Sequence, residues 1–200
     1  MKIILKLTEV IHLDKEGFER LMGMHGAPLL VGLRPACLLS FQRKTFADIE
    51  GLLASYQRCF QCKGISMYRL AESETCVMIL FYRAAALSSM LHLPQARALL
   101  ESLGYPVDGR LSDMLGELEH RVCTCTAFPH EIGLFLGYPV ADVRGFMEHH
   151  GHAYRCSGCW KVYADEAKTR ALFDLYASCT RTFCARLAEG TAFPELVQAV

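Results

Sequence analysis

Five side chains in the second half of the chain have the types and spacing to hold a soft cation. Cys123, Cys125 and His130 follow one another as C-x-C-x4-H, and Cys156 and Cys159 stand as C-x2-C. Thiolates and imidazoles are ligands that zinc favours, usually four at a time in a structural site. If the segment with Cys156 and Cys159 folds back on the start of the helix carrying His130, these five residues supply such a set, and zinc or iron is the expected ion. His149, His150 and His152 add imidazoles beside the second pair, although a helix C-terminus favours histidine through its dipole alone. A redox role for Cys156 and Cys159 is the weaker reading, because a hairpin tip lacks the helix N-terminus that lowers a thiol pKa. The other C-x2-C, Cys59 and Cys62, falls inside a helical pattern.

Proton transfer by His130 or Glu131 is a second chemistry. Neighbours on a helix project about 100 degrees apart, so each would act on its own. The favoured reading of the pair is that Glu131 complements a helix dipole and His130 hydrogen-bonds a neighbouring loop. DNA contact is a third, since EIGLFLGYPVADV is laid out like a helix-turn-helix, with Gly133 close-packed, Gly137 at the turn and Val143 six residues on. Its second helix sets Arg144 against Asp142 and Glu148, a poor match to phosphates. Nucleic acid is therefore not an expected partner, and two packed helices or a surface for a protein partner fit better. Gly23, Gly26 and Gly32 lack the spacing and the Lys-Ser or Lys-Thr of a phosphate loop.

The elements that must position these groups follow from periodicity and punctuation. Gly17 to Met24 reads as a short helix ending near Gly26, and Ala36 to Phe41 as a strand. Thr45 or Asp48 caps a helix reaching about Cys62, with Ile49, Leu52, Leu53, Tyr56 and Phe60 at helical spacing. Ile65 to Ala71 and Thr75 to Tyr82 form a hairpin. Helices follow over Arg83 to Leu91, Pro94 to Leu103 and Leu111 to Arg121. Pro129 opens another that Gly137 closes, and Pro139 opens the next, Val140 to His150. That helix carries Val143, Phe146 and Met147 on one side and Asp142, Glu148 and His149 mostly elsewhere. His152 to Tyr163 makes two short strands about Ser157 and Gly158. The last helix, Asp165 to Glu189, carries a stripe of Ala167, Ala171, Leu172, Leu175, Tyr176, Cys179, Phe183 and Leu187. LGYPV occurs at Leu103 to Val107 and again at Leu136 to Val140, which reads as stop-and-restart chemistry at two corners rather than a solenoid repeat.

The block FPHEIGLFLGYPVADVRGF followed by CSGCWKVY closely resembles a bacterial family, common in anaerobic Firmicutes, catalogued as domain of unknown function 3793. HGAPLLVGLRPACLLSF and the Cys-bearing last helix resemble it too, so the likeness spans nearly the whole chain. In that family a Cys often stands between the His and the Ala-Pro of the early motif, whereas here Gly26 follows His25. The resemblance implies a shared fold and a bacterial cytosolic setting, and it implies no reaction.

Composition agrees with that setting. The 21 basic and 21 acidic residues cancel, so the chain lacks both the basic footprint of a nucleic-acid binder and a polybasic membrane anchor. Apolar residues make up 52%, yet no run approaches the roughly 20 residues of a spanning helix. The opening MKIILKLTEV has too short an apolar core for a signal peptide, so a cytoplasmic location is expected. There the ten cysteines stay reduced by default. The expectation is an α+β protein, a single domain of two packed lobes: 1–92 mixed, with a small antiparallel sheet, and 93–200 mainly helical. An accessory or sensing role through the Cys/His site leads, with a small enzyme using His130 and Glu131, and a helix-turn-helix-like adaptor, as alternatives.

Overall fold

The computed structural model describes residues 2–200, with side chains from Asp14 onward. Three strands, β1 (Ala36–Gln42), β2 (Ser66–Glu72) and β3 (Cys76–Tyr82), form an antiparallel sheet in the order β1-β3-β2. The alternation of a pleated strand divides their side chains between two faces. Cys37, Leu39, Phe41, Val77, Ile79 and Phe81 point to one face, and Ala36, Leu70 and Leu80 to the other.

The first face is covered by α1 (Lys2–Leu30) and α2 (Ile49–Cys62). Asp48 caps α2 by accepting from Gly51 N–H at 2.9 Å, and Ile49, Leu52, Leu53, Tyr56 and Phe60 are its buried stripe, as their spacing predicts. α1 departs from the expected short helix, because it continues through Gly26 and Pro28 to Leu30. A proline inside a helix costs about 3 kcal/mol. Here it lies in the last turn, where Ala27, Leu29 and Leu30 are fully buried and each leucine returns about 1.5–3 kcal/mol.

The second face is covered by α3 (Ala84–Leu91), α4 (Pro94–Ser102), α5 (Leu111–Thr124), α6 (Ile132–Phe135) and α7 (Val140–His149). Both copies of LGYPV follow a helix end, and Gly104 and Gly137 take the left-handed conformation there (φ 83° and 79°). That conformation is open to glycine at little steric cost. A two-stranded hairpin, β4 (Cys156–Ser157) and β5 (Lys161–Val162), precedes α8 (Glu166–Ala188) and α9 (Phe193–Leu196). α8 runs along α1, and Phe183, Phe193, Leu196 and Val197 join the core of the first face. The sheet thus lies between two helical layers, with the chain's last helices packed on its first.

Asp165 caps α8, as expected, by accepting from Lys168 N–H at 3.0 Å. The wide apolar stripe narrows to a seam, in which Thr169, Tyr176 and Phe183, seven residues apart, are buried while Leu175 is 48% exposed. Phe183 packs into the core that α1 shares with the sheet, whereas Tyr176 packs against the hairpin residues Cys156, Trp160 and Val162.

Arg83 fastens the layers together. Its buried guanidinium donates to the carbonyls of Leu29 (3.0 Å), Leu30 (3.1 Å), Lys63 (2.7 Å) and Gln198 (2.8 Å), joining the ends of α1 and α2 to the C-terminal segment. Among the described residues no helix is long and apolar enough to cross a membrane.

Candidate functional site: the cleft beside the cysteine hairpin

The corner before α7 is tighter than its sequence suggests. Ile132 N–H bonds Pro129 O (3.3 Å), Gly133 N–H bonds His130 O (3.2 Å) and Leu134 N–H bonds Glu131 O (2.9 Å). These are three-residue spacings, so the helix expected from Pro129 is a tight turn leading into the four-residue α6. One helical turn is too short for the first helix of a helix-turn-helix. Gly133 does sit at a close-packed position, since a Cβ there would meet Val143 Cγ2 at 2.8 Å.

Glu131 and His130 diverge, as adjacent helical residues must. Glu131 is buried and accepts from the Tyr105 hydroxyl (3.1 Å) and Arg121 Nη1 (3.4 Å). Arg121 also bonds Glu117 through Nε (2.7 Å) and lies 4.6 Å from the centre of the Tyr105 ring. Burial, then the Glu131 carboxylate, pushes the Tyr105 hydroxyl above its ordinary range. Glu131 therefore holds α5, α6 and the Tyr105 loop together and faces the interior. His130 is exposed, with its ring edge-on to Phe146 at 4.8 Å.

Asp142 organises the hairpin. It is 2% exposed, and its carboxylate accepts from Trp160 Nε1 (2.8 Å), Tyr163 N–H (2.8 Å) and Ala164 N–H (3.0 Å). Three donors satisfy a buried charge that would otherwise be costly. Trp160 then stacks on Tyr138 at 4.5 Å and meets Phe173 of α8 edge-on at 4.6 Å. Gly145 lets α7 approach this segment, because a Cβ there would fall 2.5 Å from Tyr163 Cγ. Gly145→Ala is expected to lose about 1–3 kcal/mol by overpacking, read as a lower urea midpoint.

Between α7 and the hairpin these contacts leave a cleft of about 280 Å³, near the lower end of the roughly 300–1,000 Å³ of small-molecule sites. Its walls include Val143, Phe146, Trp160 and the exposed Phe128, and its polar side chains include His130, Ser157, Cys159, Lys161 and Asp142, whose carboxylate is taken up by its three donors. The Lys161 ammonium donates to Gly151 O (2.7 Å) and lies 5.0 Å from the Tyr154 ring centre. No carboxylate pairs with it among the described residues.

The five expected metal ligands are divided. His130 and Cys159 share the cleft, while His130 and Cys125 share a second hollow with His150. Cys123 donates weakly to Leu70 O on β2 (3.8 Å), and Cys156 is buried with Trp160, Val162 and Tyr176. His149 stacks on Tyr163 at 5.7 Å, and His150 ends α7 in the left-handed conformation (φ 50°). Among the described residues no three His, Cys, Asp or Glu side chains are grouped to hold a metal. Sequence reasoning missed Asp142, Phe146, Trp160 and Lys161 as parts of a site. The available signal was an acid in the first turn of α7, 18 positions before the chain's single tryptophan.

No curated protein and no solved structure matches the chain. A family described as protein of unknown function, DUF3793, matches residues 22–197. That span takes in the sheet, the Glu131 and Asp142 networks and both walls of the cleft, so the chain belongs to this family.

Proposed function

We propose that the protein is an accessory or sensing protein that binds a compact, flat, largely apolar ligand with an anionic end in the cleft between α7 and the hairpin. The observation that carries this reading is the convergence of an aromatic lining with Lys161, a cation that has no carboxylate partner among the described residues. Aromatic walls favour a planar body through dispersion and burial, and Lys161 supplies the charge that orients it. His130 and Cys159 stand in the same cleft, so an imidazole and a thiol are available to a bound molecule. This favours a second reading, in which His130 acts as a lone acid or base on that ligand; Glu131, turned inward, takes no part. A zinc or iron centre built from Cys123, Cys125, His130, Cys156 and Cys159 gains no support from this arrangement.

Trp160 is the only tryptophan and lines the cleft, so its emission reports occupancy. Titration with anilinonaphthalene sulfonate is expected to quench it saturably. Lys161→Met should weaken that binding about tenfold, the size of one charge-assisted hydrogen bond, and Ser157→Phe, which fills the mouth, should abolish it. Equal affinity in wild type and Ser157→Phe would overturn the proposal.

A further inference from the structure

A separate trough runs along the outer edge of the main sheet. In the order β1-β3-β2, β1 is an edge strand, with no strand beyond it among the described residues. Its register with β3 is regular from Ala36↔Tyr82 to Gln42↔Cys76. Just outside the strand, Arg83 N–H bonds Pro35 O and Arg43 N–H bonds Thr75 O. Odd-numbered residues thus turn their backbone groups toward β3. By the alternation of an antiparallel pair, Leu38 and Ser40 turn their N–H and C=O groups outward. An edge of this kind is a ready template for another strand.

The surroundings are shaped for such an addition. Leu38 and Ser40 line a hollow of about 380 Å³ bounded by Leu21 and His25 of α1 on one side and Leu136 and Tyr138 on the other. Arg34 stands in the same trough. Its Nε donates to Leu136 O (2.9 Å) and its guanidinium lies 5.1 Å from the Tyr138 ring centre. These contacts fix the plane of the group and leave its terminal nitrogens without a carboxylate among the described residues. Burial, partly offset by Arg34, pushes the Cys37 thiol in the trough wall up to about 12, so it stays a neutral thiol.

We propose that β1 and Arg34 together form a docking groove for an extended peptide that adds as a strand to the sheet and places a carboxylate, side-chain or C-terminal, on the Arg34 guanidinium. Main-chain hydrogen bonds to Leu38 and Ser40 supply affinity, and the fork geometry of arginine selects the carboxylate.

The test uses the full chain and a fluorescein-labelled peptide that alternates Thr and Val and ends on a free Asp carboxylate, followed by polarisation. Saturable binding is expected. Ser40→Pro removes an outward N–H, which an edge strand tolerates, together with the hydroxyl contact to Cys76 Sγ (2.7 Å), and should weaken binding at least about tenfold, the loss of one or two hydrogen bonds. Ser40→Ala keeps the N–H and should bind like wild type, and Arg34→Met should lose the preference for the acid over the amidated peptide. Circular dichroism confirms that each variant is folded. Peptide binding indifferent to both Ser40→Pro and Arg34→Met would overturn the proposal, as would a homodimer that Ser40→Pro dissociates, since the groove would then hold a second copy of the chain.

Discussion

Asp142→Ala is expected to unfasten the cysteine hairpin and lower stability by about 3–5 kcal/mol, in the range of mutations that break a buried polar network. The carboxylate is the shared acceptor for Trp160 Nε1 and the N–H groups of Tyr163 and Ala164. Truncation leaves three donors in a site where the residue itself is 2% exposed. Each unpaired donor costs about 1–3 kcal/mol, and water entering the gap recovers part of that sum. Asp142→Asn separates charge from shape. One amide oxygen still serves Tyr163 and Ala164, but the amide N–H₂ then faces the indole N–H, donor against donor, and the cleft should loosen at Trp160 first. Urea denaturation gives the stability loss. A red shift of Trp160 emission under native conditions shows where it occurs, and a wild-type spectrum from Asp142→Ala would mean that the hairpin is held by its apolar contacts instead.

Arg83→Met should have an effect of similar size for the opposite electrostatic reason. Here a buried cation serves four carbonyls, three of them at the C-terminal ends of α1 and α2, where unsatisfied carbonyls and the helix dipole both favour positive charge. Burial lowers the Arg83 pKa, and with no carboxylate among these partners, the four acceptors are what hold the charge inside. Losing all four bonds is expected to cost about 3–5 kcal/mol. Arg83→Lys should fall between, because an ammonium lacks the planar fork that reaches carbonyls on three different segments. Hydrogen exchange tests the location of the loss: the Gln198 amide, bonded to Leu30 O at 2.9 Å, should exchange much faster in Arg83→Met while amides of β3 stay protected until global unfolding.

These two residues also show what could be read from the chain and what could not. α2 was legible because a capping Asp48 and an apolar stripe at helical spacing point to the same boundaries, and the β2-β3 hairpin because two apolar runs flank a polar turn. Periodicity reports which residues leave water. It does not report which neighbour covers them: the stripe expected of α8 includes Leu175, which is 48% exposed, while Phe183 is covered in the α1 core and Tyr176 by the hairpin. Pro28 and Gly26 argue locally for a helix end, and only the burial of Ala27, Leu29 and Leu30 against the sheet outweighs them. Buried charges are harder still. Asp142 and Arg83 look like surface residues in sequence, and their roles depend on partners 18 and 115 positions away. For the site, His130 and Cys159 were singled out and do share a cleft, whereas Cys123 and Cys156 lie elsewhere, because ligand spacing along a chain says nothing of the helix and loop packed between.

The most direct measurement is a two-dimensional amide spectrum of the full chain titrated with anilinonaphthalene sulfonate. The single indole N–H resonance, from Trp160, should shift saturably together with the amides of Gly133, Phe146, Ser157 and Lys161, while those of α2 stay in place. A stationary indole resonance, or shifts centred on the surface between α1 and α8, would contradict the assignment of the ligand to the hairpin cleft.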